Sequence, residues 1–172
     1  MIEKNNKEKV LEHFFKYPTE GIHLRELSRR IQLSMPAILS ITKKLEKEGL
    51  ITKNKGIALT VLMPNNENKN FLRLKRVYNL KSLYFSGLID YLIKEYRLPQ
   101  AIICFGSYSK GEDFEKSDID IAIISGNEKN TNLEKFERIL ARKISIHHIS
   151  LDKISRELKS NIFNGIVLEG AI

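Results

Sequence analysis

The stretch Phe105–Ile124, FGSYSKGEDFEKSDIDIAII, decides how this chain folds and what chemistry it can carry. It opens at the end of a short apolar run, Ala101-Ile102-Ile103-Cys104-Phe105, with the length and composition of a buried strand. That run passes straight into Gly106-Ser107-Tyr108-Ser109-Lys110-Gly111. A second strand is expected over residues 117–125. Its period of two places Asp118 and Asp120 side by side on one face, with Ile119 and Ile121 on the other. Two carboxylates held so close repel each other, and the pKa of at least one rises unless a cation joins them. A hard divalent ion resolves the repulsion, and Mg²⁺ (or Mn²⁺) needs few protein ligands when a phosphate supplies the others. Gly106 allows close backbone approach, and Ser107 with the following N–H groups can hold phosphate oxygens, Lys110 adding charge. The plainer alternative makes Asp118 a cap and Asp120 an edge charge.

With a strand, Gly-Ser and then Asp-x-Asp, this stretch resembles the nucleotidyltransferases of the DNA polymerase beta superfamily, closest to the small prokaryotic branch. The resemblance implies a small mixed sheet flanked by helices. It also implies a nucleoside triphosphate held at Gly106, Ser107 and Lys110, with Mg²⁺ or Mn²⁺ at Asp118 and Asp120. The implied reaction transfers a nucleoside monophosphate, AMP, to a hydroxyl of a protein or small acceptor. A third carboxylate is implied on the next strand. Here helix 133–142 leads into the strand Lys143–Ser150, KISIHHIS, which holds no Asp or Glu. The third acid falls near Ser145 or His147, which share a face by alternation, and Mg²⁺ prefers oxygen to imidazole. His147 and His148 point to opposite faces and do not clasp one metal together. Asp152 follows, placed as an N-cap for a helix over 153–159. The gap leaves a second reading open, a regulator or antitoxin-like partner of a toxin-like protein that keeps the fold for nucleotide sensing or dimerisation.

Upstream, the charge is unevenly spread. The 172 residues carry a formal +8, yet residues 1–75 hold 15 Lys and Arg against 8 Asp and Glu, and the remainder 14 against 13. An excess confined to one half points to an anionic partner for that half. Apolar positions recur at helical spacing from Glu3 to Lys16 and from His23 to Ile31. After the turn Gln32-Leu33-Ser34, with Ser34 as N-cap and Pro36 in the first turn, a third helix runs to Glu48 and closes at Gly49. Its inward stripe is expected to be Ile38, Ile41, Leu45 and Leu39. Two β-like stretches, Leu50–Lys53 and Ile57–Met63, flank the turn Asn54-Lys55-Gly56.

Helix, helix, tight turn, helix and hairpin, carried by LRELSRRIQLSMPAILSITKKLEKEGLI, resemble a winged helix-turn-helix. The resemblance implies double-stranded DNA as partner and, commonly, a homodimer. Ser34, Ser40, Thr42, Lys43 and Lys44 then lie on the recognition helix, Arg25, Arg29 and Arg30 on the helix before it, and Lys53 and Lys55 in the wing. A solvated face that docks a protein is the alternative. The polar run Pro64–Asn70 reads as a boundary, and residues 71–96 as one or two helices with Phe71, Leu74, Tyr78 or Val77, Leu83, Tyr84, Leu88, Tyr91 and Leu92 inward. The expected fold is therefore α+β: winged helix 1–66, linking helical segment 67–98, and nucleotidyltransferase-like domain 99–172. The single cysteine excludes an internal disulfide. The N-terminus lacks the apolar core of a signal peptide, and no run reaches the ~20 apolar residues of a membrane span, so a cytoplasmic protein without a membrane partner is expected.

Overall fold

A computed structural model describes residues 5–55, 60–126, 128–150 and 156–171. The chain divides into two compact units, residues 1–75 and 76–172.

In the first unit, helix α1 spans Asn6–Lys16, held at its start by a capping box between Asn5 and Glu8. A two-residue strand β1, Ile22–His23, precedes α2, Leu24–Ile31. It was hidden from periodicity because burial of Ile22 against β3 creates it, and two residues show no period. Helix α3 follows as Met35–Lys47, then strands β2, Ile51–Lys55, and β3, Thr60–Pro64. The sheet order is β1-β3-β2, antiparallel throughout. Gln32 takes the left-handed conformation that turns α2 into α3. Ser34 sits at the N-cap with extended backbone, but its side chain makes no capping bond. Beyond α3, the Gly49 N–H donates to Glu46 O and the Leu50 N–H to Leu45 O, both at 2.9 Å, the Schellman arrangement. The asparagines expected to form a linker are engaged: Asn65 and Asn68 both donate to Gly49 O, and Asn68 Oδ1 accepts from the N–H of Asn70 at the next helix start. The hairpin tip, with Gly56 and Ile57 of the expected turn and strand, lies outside the described residues.

Helix α4, Lys69–Ser86, ends at Gly87, whose φ of +77° only glycine adopts without strain, and α5 restarts as Leu88–Glu95. The buried face of α4 is spaced by fours, Phe71, Lys75, Asn79 and Leu83. Leu74 and Tyr84, expected inward, are exposed, and of the alternatives Tyr78 and Val77 it is Val77 that is exposed, at 63%, while Tyr78 is half-buried. The apolar pattern misleads because Asn79 is drawn inside by hydrogen bonds rather than by hydrophobicity, donating to Tyr108 O and Asp113 Oδ1.

The second unit is built on strands β4, Ala101–Phe105, β5, Ile119–Ile124, β6, Ile144–Ile149, and β7, Ile166–Gly170, in the order β6-β5-β4-β7. Strands β5 and β6 are parallel and the other pairs antiparallel. One sheet face packs Ile102, Cys104, Ile119, Ile121 and Ile123 against Leu83, Leu88, Leu92 and Tyr96 of the helices above, with Phe136 of α7, Glu134–Leu140. The other packs Ala101, Ile103, Ala122, Ile124 and Ile149 against Ile162 of α8, Arg156–Phe163. No described helix is long and apolar enough to cross a membrane.

Candidate active site

Period two on β5 carries the site. Ala122 and Ile124 belong to the α8-side core, so Asp120 and Asp118, two and four residues back from Ala122, point to that same side where the core ends. Asp118 stands one residue before β5 and is exposed; Asp120 is half-buried. The register pairs Phe105 with Asp120, so the end of β4 delivers Gly106 beside Asp120. Gly106 has φ +71°, and a Cβ there would lie 2.6 Å from Asp120 Oδ2. Both facts demand glycine. The turn opens a short helix α6, Gly106–Lys110, in which the Ser109 hydroxyl donates to Gly106 O at 2.8 Å. The Ser107 hydroxyl is half-buried and has no hydrogen-bond partner among the described residues, and Lys110 is exposed at the end of α6.

Strand β6 places Ser145 opposite Asp120 and His147 opposite Ala122. The Ser145 hydroxyl donates to Asp118 Oδ2 at 3.3 Å, and His147 Nε2 bonds Asp120 Oδ1 at 3.2 Å. Phe105 meets the His147 ring edge-on, with centroids 5.0 Å apart. His148 faces the other side of the sheet and bonds the Tyr96 hydroxyl at 2.7 Å, as alternation requires. Asp152 lies outside the described residues. Among the described residues no group of three His, Cys, Asp or Glu side chains could by itself hold a metal ion. Two carboxylates with phosphate and water oxygens do suit one Mg²⁺.

A buried polar anchor holds the loop between α6 and β5. Asp113 is 2% exposed, accepts from Asn79 Nδ2 at 2.7 Å, and faces Arg142 Nη2 at 3.6 Å. Arg142 is turned inward by Ala141, whose left-handed φ of 52° ends α7 two residues before the expected boundary. Its Nε has no partner among the described residues. Sequence reasoning missed this trio because Asn79 lies on a helix judged by its apolar residues and Asp113 is one acid among several. Beyond Asp118, on the β6 side, a groove of about 570 Å³ is lined by Lys116, Glu134, Arg138 and Lys143, among others.

In the first unit, Ser40, Lys43 and Lys44 are exposed on α3, and Arg25 and Arg29 on α2. Ser34 is exposed at the head of α3. None of these four basic residues makes an ion pair among the described residues. Lys53 is paired with Glu46 at 2.5 Å and Arg30 with Glu26 at 2.6 Å, so the charge of each is already matched. The side chain of Lys55 lies outside the described set. Thr42 is fully buried, its hydroxyl donating to Ile38 O at 2.8 Å, and cannot reach a groove. Leu39, expected inward, is exposed because Ile38, Thr42 and Leu45 already fill the buried face.

The family model for winged helix-turn-helix DNA-binding domains matches residues 5–52, and that for polymerase beta nucleotidyltransferases matches residues 88–170. No curated protein matches significantly. With both geometries in place, the chain joins an N-terminal winged helix-turn-helix DNA-binding domain to a C-terminal nucleotidyltransferase domain of the polymerase beta superfamily.

Proposed function

We propose that the second unit transfers a nucleoside monophosphate, AMP, from a nucleoside triphosphate to a hydroxyl acceptor, and that the first unit binds double-stranded DNA. The observation that carries the transfer is the packing of Gly106 against Asp120, with no room for a side chain between them. It brings the backbone of the turn directly beside the Asp120 carboxylate. The Ser107 hydroxyl and the N–H groups of the turn would hold the β- and γ-phosphate oxygens, with Lys110 adding charge. Asp118 and Asp120 would hold Mg²⁺ or Mn²⁺, which when bound offsets charge on the phosphates. In-line displacement requires the acceptor to approach opposite the departing pyrophosphate. The groove lined by Lys116, Glu134, Glu137, Arg138 and Lys143 borders Asp118. The acceptor oxygen would enter from that groove and bond the α-phosphorus. The bond to the bridging oxygen breaks, pyrophosphate takes the electron pair, and the acceptor proton passes to solvent.

Incubation with α-labelled nucleotides, Mg²⁺ or Mn²⁺ and candidate acceptors, the chain itself included, tests the reaction. Transfer that vanishes in Asp118→Ala/Asp120→Ala is expected. Nucleotide binding without transfer in the native chain would select the sensing regulator instead. For the DNA function, Arg25, Arg29, Lys43 and Lys44, which make no ion pair among the described residues, support phosphate contact, with Ser34 and Ser40 toward the bases. Duplex affinity should fall steeply with salt, and Lys43→Ala/Lys44→Ala should reduce the log–log slope by about 2. An unchanged slope would refute this face. A homodimer goes with the winged helix and a toxin-like partner with the alternative regulator reading; light scattering and co-purification of a labelled partner test them.

A further inference from the structure

We infer that the transfer site is built for a single divalent cation, with His147 standing where a second would need a carboxylate. The inference rests on the nucleotide–metal reading above.

Each of the two acids has one oxygen engaged by β6. Asp118 Oδ2 accepts from Ser145, and Asp120 Oδ1 is bonded by His147. The remaining oxygen of Asp120, Oδ2, is the one that faces Gly106 and therefore the phosphate turn. That oxygen and Asp118 would hold one ion, leaving its other positions to phosphate and water oxygens, which suits Mg²⁺. A second ion would stand about 3.5–4 Å from the first, on the acceptor side, and would need oxygen ligands there. On that side β6 offers only the hydroxyl of Ser145 and the imidazole of His147. Asp113, the acid in the loop preceding β5 that is closest to full burial, is committed to Asn79 and Arg142. His147 is also not free to swing aside, since Phe105 packs edge-on against its ring. The β6 face thus anchors the two carboxylates by hydrogen bonds instead of sharing a second cation with them.

Electron paramagnetic resonance of the full chain with Mn²⁺ and a non-hydrolysable ATP analogue tests this, because two ions so close are exchange-coupled and one is not. The native chain should bind one uncoupled Mn²⁺. His147→Glu, whose carboxylate reaches about as far as the imidazole, should bind two as a coupled pair, and Ser145→Asp serves if that variant fails to fold. A coupled pair in the native chain overturns the inference, and its loss in Asp152→Asn would identify the ligand responsible. A single uncoupled ion in both folded variants overturns the role given to His147. No protein-bound Mn²⁺ in any of them overturns the nucleotide–metal reading itself, a result distinct from a count of two.

Discussion

Replacing Gly106 by alanine separates two costs that the site combines. The residue has φ +71°, and its new Cβ would lie 2.6 Å from Asp120 Oδ2. The left-handed backbone alone costs an alanine about 1–2 kcal/mol. Relief of the clash requires the Asp120 carboxylate to turn away, which breaks its 3.2 Å bond to His147 and costs a further ~0.5–1.5 kcal/mol. The sum, about 1.5–3.5 kcal/mol, should lower the melting temperature of a unit this size by roughly 6–28 °C. Two other glycines calibrate the measurement. Gly87 shares the geometry, φ +77°, but nothing lies within 4 Å of its Cβ position, so Gly87→Ala reports the backbone cost alone. Gly126 has neither a positive φ nor a near neighbour, and Gly126→Ala should stay within about 0.5 kcal/mol of the native chain. Urea unfolding followed by circular dichroism gives the three values, and Mn²⁺ binding reports on Asp120. If Gly106→Ala were no less stable than Gly87→Ala and bound Mn²⁺ as the native chain does, the close approach of turn and carboxylate would be wrong.

Arg142→Met should destabilise the second unit by about 1–3 kcal/mol, because it removes one charged partner of a buried carboxylate, while Asp113→Leu/Arg142→Met should recover part of that loss in the same unfolding assay. Burial, with the charge of Arg30 adding to it, holds His13 down to about pKa 4 from 6.5. At pH 7 the ring is neutral in both states; as pH falls through 6.5 the unfolded chain takes the proton first, so stability falls until about pH 4, by up to ~3 kcal/mol. His13→Leu should flatten that part of the first unit's stability profile, and an unchanged slope would reject the assignment. Burial pushes the Cys104 thiol up to about 12, so iodoacetamide at pH 8 should leave the folded chain unmodified and label it only in denaturant.

Local pattern alone determined the two-part organisation, the winged-helix order of elements, the strand–turn–strand of residues 101–124 and the common face of Asp118 and Asp120. Each of these follows from short-range periodicity or from residues adjacent in the chain, which is where a sequence carries its information most directly. The shared face of Ser145 and His147 is of the same kind. Their bonds to Asp118 and Asp120 are not, because they depend on the parallel register of β5 with β6, two strands separated by a helix. The inward face of α4 was likewise decided in three dimensions. A helix pattern ranks residues by hydrophobicity, so it buries Leu74. The folded chain buries Asn79 because the carbonyl of Tyr108 and the carboxylate of Asp113 wait there for its amide. Arg142 reaches the same anchor only because Ala141 turns left-handed at the end of α7. Polar burial is specified by partners, and those partners lie tens of residues away along the chain.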